Sequence, residues 1–407
     1  MQASSSPALL REINCAKVFA ALRGRDALRL TEIGELTGLS RPTVSQASEQ
    51  LVAGGLAEYV EEEAADQPRI GRPARAVRFR RRAGYVLGID IGPHKILAML
   101  ADLTGSVVAK KRRDDDFASS GQQVLAAVRE TVTSLLKEAG IARHEVWSVT
   151  VGTPGIVDPH TRAVTFAPSL PDWNEIRLAD ALRRSFSAPI QVENDVNLAV
   201  IAERWLGVAT GVSTVVFIQW GARVGAGLVI GDRLHRGAAG MAGEIGYLSV
   251  LDGQAGVVPD ESGLGPLESR VGAGAIIEAA GSRRRRGRRA DRRAEETDAT
   301  AVFAAARAGD EAAAQAIDEV AARLARGLSA LLLVLDPEMV VLGGGVSTAG
   351  PSLLSAIERH IEPLALAKPL LTLSALGDEA TALGAVRLAL TDVEDRLLPA
   401  ATDPLAR

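Results

Sequence analysis

The sequence predicts a small helical module with a two-stranded hairpin, followed by a larger α/β domain whose sheets are covered by helices. Three observations predict it. From Ala8 to Leu56 apolar residues recur at helical spacing, with breaks near Gly24 and Gly38, before LAEYV and AVRFR alternate like two short strands. After Arg82 the pattern becomes YVLGIDIG, ILAMLADLTG, SVTVGTPGIVD and PIQVENDV, buried-strand runs separated by long helical segments. The strand-turn-strand openings at Gly88–Gly105 and Thr214–Asp232 also resemble one another, which implies two related lobes. The expected domains are therefore 1–82 and 83–395, with 396–407 as a C-terminal tail.

Within the first domain, TEIGELTGLSRPTVSQASEQLVAGGL is a helix-turn-helix pattern. Ile33 and Leu36 form the expected inner face of the first helix, and Gly38 allows the turn. Ser40 is placed to cap the second helix, and Pro42 fits its first turn, where a missing N–H costs little. Val44, Ala47 and Leu51 make the buried stripe. Arg41, Thr43, Ser45 and Gln46 are left facing outward, as donors and acceptors able to reach base edges in a major groove. The hairpin that follows reads as a wing, and Arg72 and Arg75 in its GRPAR turn suit phosphates or a narrow minor groove.

Charge supports this division. Residues 1–82 carry 13 Lys and Arg against 10 Asp and Glu, a net +3, whereas the remainder carries a net −7. The basic end is the one that would meet double-stranded DNA. The chain's 407 residues, 47% hydrophobic and 24% charged, allow substantial cores. A single cysteine, Cys15, excludes an internal disulfide and lies in an apolar helical pattern, as a buried thiol would. No run reaches the ~18 apolar residues of a membrane span, and no secretory pattern opens the chain. The expected location is the cytoplasm. The segment holding eight Arg between Arg283 and Arg293 reads as a solvated insertion or a supplementary phosphate-binding patch.

The α/β domain holds the residues with chemical potential. Asp90 ends a strand and is followed by a turn, where a carboxylate can position a cation near phosphates. Asn194 and Asp195 stand where a strand hands over to a helix; Asp195 can accept a hydroxyl proton there or serve as a cap. Glu244 and Glu268 add carboxylates of the kind that accept polyol hydroxyls. The turn WGARVGAG, with Gly221 and Gly225, could cradle a phosphate with backbone N–H groups. Gly343–Gly345 follow a strand, a usual approach point for adenine or ribose.

In order and spacing these motifs resemble the ROK family of repressors, open reading frames and kinases, over nearly the whole chain. That resemblance implies a two-lobed sugar-kinase/actin-like, ribonuclease H-like domain, and its repressor branch carries the winged helix-turn-helix. It implies Asp195 as the match to the kinase base, and Asn194, Asp195, Glu244 and Glu268 as sugar ligands, with Tyr247 at the position of the family's zinc-binding His. Asp90 and Gly92 match its first phosphate motif, Gly221 to Gly227 its second, and Gly343 and Gly344 fall in its adenosine motif.

The departures matter as much. Pro93 and His94 replace a Gly-Thr pair, Ala222 replaces Thr, and Arg223 stands where the family has Gly, which alone approaches a phosphate closely at little cost. Arg223 is left with two readings, an anion contact or a structural salt bridge. All four of the family's zinc ligands are missing, so neither a metal nor another cofactor is expected. The expectation is thus a DNA-binding regulator, a repressor of sugar genes that responds to a sugar and acts as a homodimer or dimer of dimers. An ATP-dependent sugar kinase is the alternative.

Overall fold

The computed structural model describes residues 7–61, 75–117, 120–249, 263–287 and 299–397. The N-terminal module comprises α1 (Pro7–Leu22), β1 (Leu28–Arg29), α2 (Leu30–Thr37), α3 (Arg41–Ala53), β2 (Ala57–Glu61) and β3 (Arg75–Phe79). Its antiparallel sheet runs β1-β3-β2, the arrangement of a winged helix. Gly38 ends α2 at φ +67°, a left-handed position that suits glycine. Val44, Ala47 and Leu51 are buried as expected, but Leu36 is 53% exposed. In so short a helix only one side meets its neighbours, and Gly34 rather than Leu36 flanks Ile33 on it, close to the Leu39 carbonyl. Ser40 does occupy the N-cap position of α3, yet its hydroxyl lies 2.8 Å from that of Thr43 and bonds no helix N–H.

The first lobe contains β4 (Tyr85–Ile91), β5 (Lys95–Asp102), β6 (Val107–Asp114), α4 (Gly121–Ala139), β7 (Val146–Thr153), β8 (Ile156–Val157), β9 (Val164–Phe166), α5 (Leu178–Arg183), β10 (Ile190–Asn194) and α6 (Asp195–Trp205). The second contains β11 (Val215–Trp220), β12 (Val224–Ile230), β13 (Arg233–Leu234), α7 (Glu268–Val271), α8 (Ala273–Gly287), α9 (Ala299–Arg307), α10 (Glu311–Leu335), β14 (Met339–Gly343), α11 (Pro351–Ile361) and β15 (Leu370–Leu373). The chain then returns through α12 (Ala380–Leu397), which runs on past Asp395.

The lobes repeat one plan. Their sheets run β10-β7-β4-β5-β6 and β13-β12-β11-β14-β15. In each, a three-stranded antiparallel meander is extended by two parallel strands on the far side of its first strand. The likeness between the two sequence openings is therefore a duplication of topology. Helices α4 and α10 supply the outer layers, each through a long apolar stripe.

Helices α6 and α12 pack between the sheets. They approach so closely that a Cβ on Gly384 would lie 1.8 Å from the Leu198 carbonyl oxygen. Gly88 on β4 likewise has no room for a Cβ beside the Ala382 carbonyl. On its other flank, α12 shares one apolar cluster with the N-terminal module, in which Val18, Phe19, Leu22 and Phe79 join Met99, Val386 and Val393.

Candidate functional site

At the junction of β10 and α6, Asn194 and Asp195 divide the roles that the sequence left open. Asn194 is the N-cap: its Oδ1 accepts from the Val196 and Asn197 N–H groups at 2.9 and 3.0 Å. Its amide donates to the Gly155 carbonyl at 2.9 Å. Asp195 occupies the first helical position, half-buried. Its carboxyl is pushed up to about 7, first by burial and then by the charges of Asp90 and Glu244. Acidic groups from both lobes thus act on Asp195.

Glu244 lies on the second lobe before a short turn, Ile245–Tyr247. Burial, and next the charge of Glu268, push its carboxyl up to about 7, against the lowering effect of Arg223. Tyr247 is half-buried, with its ring 6.1 Å from that of Phe166 in an edge arrangement across the lobes. Burial raises its phenol above the ordinary value, helped by Glu268.

Glu268 is buried and committed. Its Oε1 accepts from the Val224 N–H at 2.8 Å, and its Oε2 accepts from the Gly265 N–H at 3.1 Å. Arg223 lies 3.4 Å from the same carboxylate and donates to the Gly263 carbonyl at 2.7 Å. Of its two readings, the salt bridge is what the structure contains. The Gly221 N–H is also spent, on the Arg223 carbonyl. Gly225 pairs with Gln219 inside the sheet.

The first glycine turn is closed in the same manner. The Gly92 N–H donates to the Lys95 carbonyl at 2.8 Å, and Pro93 has no N–H to offer. Asp90 is buried, with Lys95 Nζ 2.9 Å from its carboxylate. Burial outweighs that partner and raises the Asp90 carboxyl above the ordinary range. Across the second sheet, a Cβ on Gly343 would strike the Phe217 ring, and Gly344 adopts φ +81° against the Trp220 backbone. Both glycines answer to packing within the lobe.

Sequence reasoning missed Lys95, although it stands only three residues after Gly92. It also missed a cross-lobe cluster behind the cleft. Buried Glu193 accepts from Arg236 at 2.7 Å and lies 3.5 Å from Arg162, while its other oxygen accepts from Asn197. No local pattern links these positions.

On the N-terminal module, Arg41 and Gln46 are exposed along α3, and Thr43 and Ser45 are half-exposed. The Ser45 hydroxyl donates to Glu49 at 3.1 Å, one turn further on. Arg75 is exposed at the start of β3, its guanidinium 5.5 Å from the Tyr59 ring centroid. Arg72, the loop 250–262 and the arginine run beyond Gly287 lie outside the described residues.

Known proteins match this chain in both parts. The ROK family model matches residues 86–392, and the model of the IclR helix-turn-helix domain matches residues 15–61. The xylose repressor of Caldicellulosiruptor bescii is 26% identical over 394 residues, spanning 95% of this chain and 97% of its own. The glucokinase of Halalkalibacterium halodurans is 29% identical over 287 residues, 69% of this chain and 86% of its own. Among solved structures, a ROK family transcriptional regulator, a homolog of the E. coli MLC protein, superposes with a TM-score of 0.77 at 22% identity, over 97% of this chain and 99% of its own. A ROK glucokinase from Streptomyces griseus, in complex with glucose and AMPPNP, gives 0.65 at 28% identity over 76% of this chain and 100% of its own. With its family model matching residues 86–392, nearly all of the two-lobed region, and the duplicated sheets and interleaved helices in place, the chain belongs to the ROK family.

Proposed function

We propose that the protein is a DNA-binding repressor whose two-lobed domain senses a sugar. One observation carries this reading: a winged helix with an open α3 face is fused to a cleft that keeps Asp195 and Glu244 while both phosphate turns have closed on themselves. The Caldicellulosiruptor repressors match over 95% of this chain, whereas the Halalkalibacterium glucokinase matches over 69%. Arg41, Thr43, Ser45 and Gln46 read bases, and Arg72 and Arg75 bind the DNA backbone or minor groove. Asn194, Asp195, Glu244 and Tyr247 face the sugar, and Glu268 shapes the pocket through Val224 and Gly265. The protein works in the cytoplasm as a homodimer, since paired heads must meet paired half-sites. Leu370, on the edge strand β15, and Leu366 in the segment before it are 59% and 96% exposed and offer an apolar face for pairing.

Domain closure around a sugar would change the spacing of the two heads and so release the operator. Bound duplexes selected from genomic DNA supply the operator, and release by D-xylose and D-glucose supplies the test. Glu244→Ala and Asp195→Ala should abolish release while leaving sugar-free operator affinity intact. Normal release in both variants would remove the cleft from the account.

The kinase reading has one observation in its favour, a carboxyl at Asp195 tuned to about 7, as a general base would need. A base contributes only ~10²–10⁴-fold, while phosphoryl transfer depends mainly on positioning and charge stabilisation around the γ-phosphate. Here Pro93 lacks a donor, the Gly92 and Gly221 donors are spent, and Lys95 is already paired with Asp90. The Asp90 and Lys95 groups that would handle phosphate and cation neutralise each other. The protein therefore performs no ATP-dependent sugar phosphorylation.

A further inference from the structure

Helix α12 touches the proposed sensor at one end and the DNA-reading module at the other. Near its start, the Thr381 hydroxyl donates to the Asp195 carbonyl at 3.2 Å. Along its length Gly384 presses on Leu198, so α6 and α12 cannot slide independently. Arg387 lies 6.0 Å from the ring of Trp205, the last residue of α6. The same arginine donates to Glu394 from its two terminal nitrogens, Nη1 and Nη2, at 3.0 and 3.2 Å. Glu394 is also paired with Arg23, which directly follows α1. The 18 residues of α12 span about 27 Å, the distance that a message from cleft to head would have to cross.

A half-open hollow of about 470 Å³ lies beside this joint, lined by Glu12, Cys15, Gln50, Gly54 and Leu397 among others. The head and α12 therefore share one apolar cluster and one carboxylate, beside that hollow.

We propose that α12 transmits occupancy of the Asp195 cleft to the head, with Thr381 as its receiving contact and the Arg387–Glu394–Arg23 fork as its delivering one. This rests on the sensor reading above. A shift of α6 at Asp195 moves α12, and Glu394 carries α1 with it. Because α1 packs on both α2 and α3, the base-reading face follows. Thr381, Arg387, Glu394 and Arg23 are positioning residues and touch neither sugar nor DNA.

The test uses the full chain with the variants Glu394→Gln, Arg23→Met and Thr381→Val, and D-xylose and D-glucose as probes. Sugar affinity and sugar-free operator affinity should each stay within about threefold of wild type. The factor by which saturating sugar weakens operator binding should fall from about tenfold or more to less than about twofold, since couplings between sites commonly span ~5–150-fold. Variants that keep the full factor would overturn the relay. A wild type that binds neither sugar, or binds one without releasing DNA, would count against the sensor reading instead. A sugar-free measurement then decides the relay alone. Thr381→Val should change hydrogen exchange at Val18–Leu22 severalfold in the wild-type background and leave it unchanged in Glu394→Gln. Equal changes in both backgrounds, or none in either, would refute transmission through the fork.

Discussion

Gln46 and Arg75 are both exposed on the N-terminal module, yet they should fail differently when removed. Gln46→Ala should cost ~1–3 kcal/mol on the specific operator and leave nonspecific binding unchanged. Arg75→Ala should weaken binding to every duplex and lower the salt slope by about one. Titrations over a salt series on operator and scrambled duplexes separate the two, and an unchanged specificity ratio for Gln46→Ala would misplace the reading helix. Asp195 and Glu244 carry a pH signature. Each holds its proton up to about 7 in the folded protein, whereas the unfolded chain releases it near 4. Folding is therefore favoured by these groups at low pH, and that contribution is lost as pH rises through about 7. Asp195→Asn removes one of the two, so its melting temperature should fall less than that of wild type between about pH 5 and pH 8. An equal fall would show that Asp195 does not hold its proton.

Gly384 gives the element scale its sharpest test. In an ordinary exposed helix, Gly→Ala gains up to ~1 kcal/mol. Here the new methyl would lie 1.8 Å from the Leu198 carbonyl oxygen, so α6 and α12 must separate. Gly384→Ala should therefore destabilise by ~3 kcal/mol, read from denaturant midpoints; a stabilised variant would contradict the helix crossing. Elements with a strong local signal were legible in the sequence: α3 with its Val44, Ala47 and Leu51 stripe, the β2–β3 wing, and both meanders. Leu36 and Ser40 were misread because α2 packs through a single side and the Ser40 hydroxyl found Thr43 instead of the backbone. In the cleft, the motif positions were legible but their engagements were not. Arg223 met Glu268, Lys95 met Asp90, and Glu193 met Arg236 across 45 residues or fewer of chain, at separations no periodicity encodes. The role of α12 was invisible for the same reason, since its partners lie on α6, on β4 and at Arg23 just after α1.

For the molecule as a whole, purified protein should form no sugar phosphate from ATP above a no-enzyme control, measured against a panel of hexoses and pentoses. Arg223→Gly alone should not create activity, because Pro93 and the Asp90–Lys95 pair remain. Product formed by wild type and lost in Asp195→Asn would establish a kinase. The apolar cluster shared by α1, β3, β5 and α12 bears on a different matter, how such a chimera can be taken apart. This chain runs one buried cluster from Val18, Phe19, Leu22 and Phe79 of the head into Met99, Val386 and Val393 of the lobe. A fragment beginning at Ala83 would lose the head's share of that cluster and should bind a hydrophobic dye more strongly than the intact chain. The head is thus a lid as well as a passenger, and grafting it onto another sugar domain would require repainting that domain's surface first.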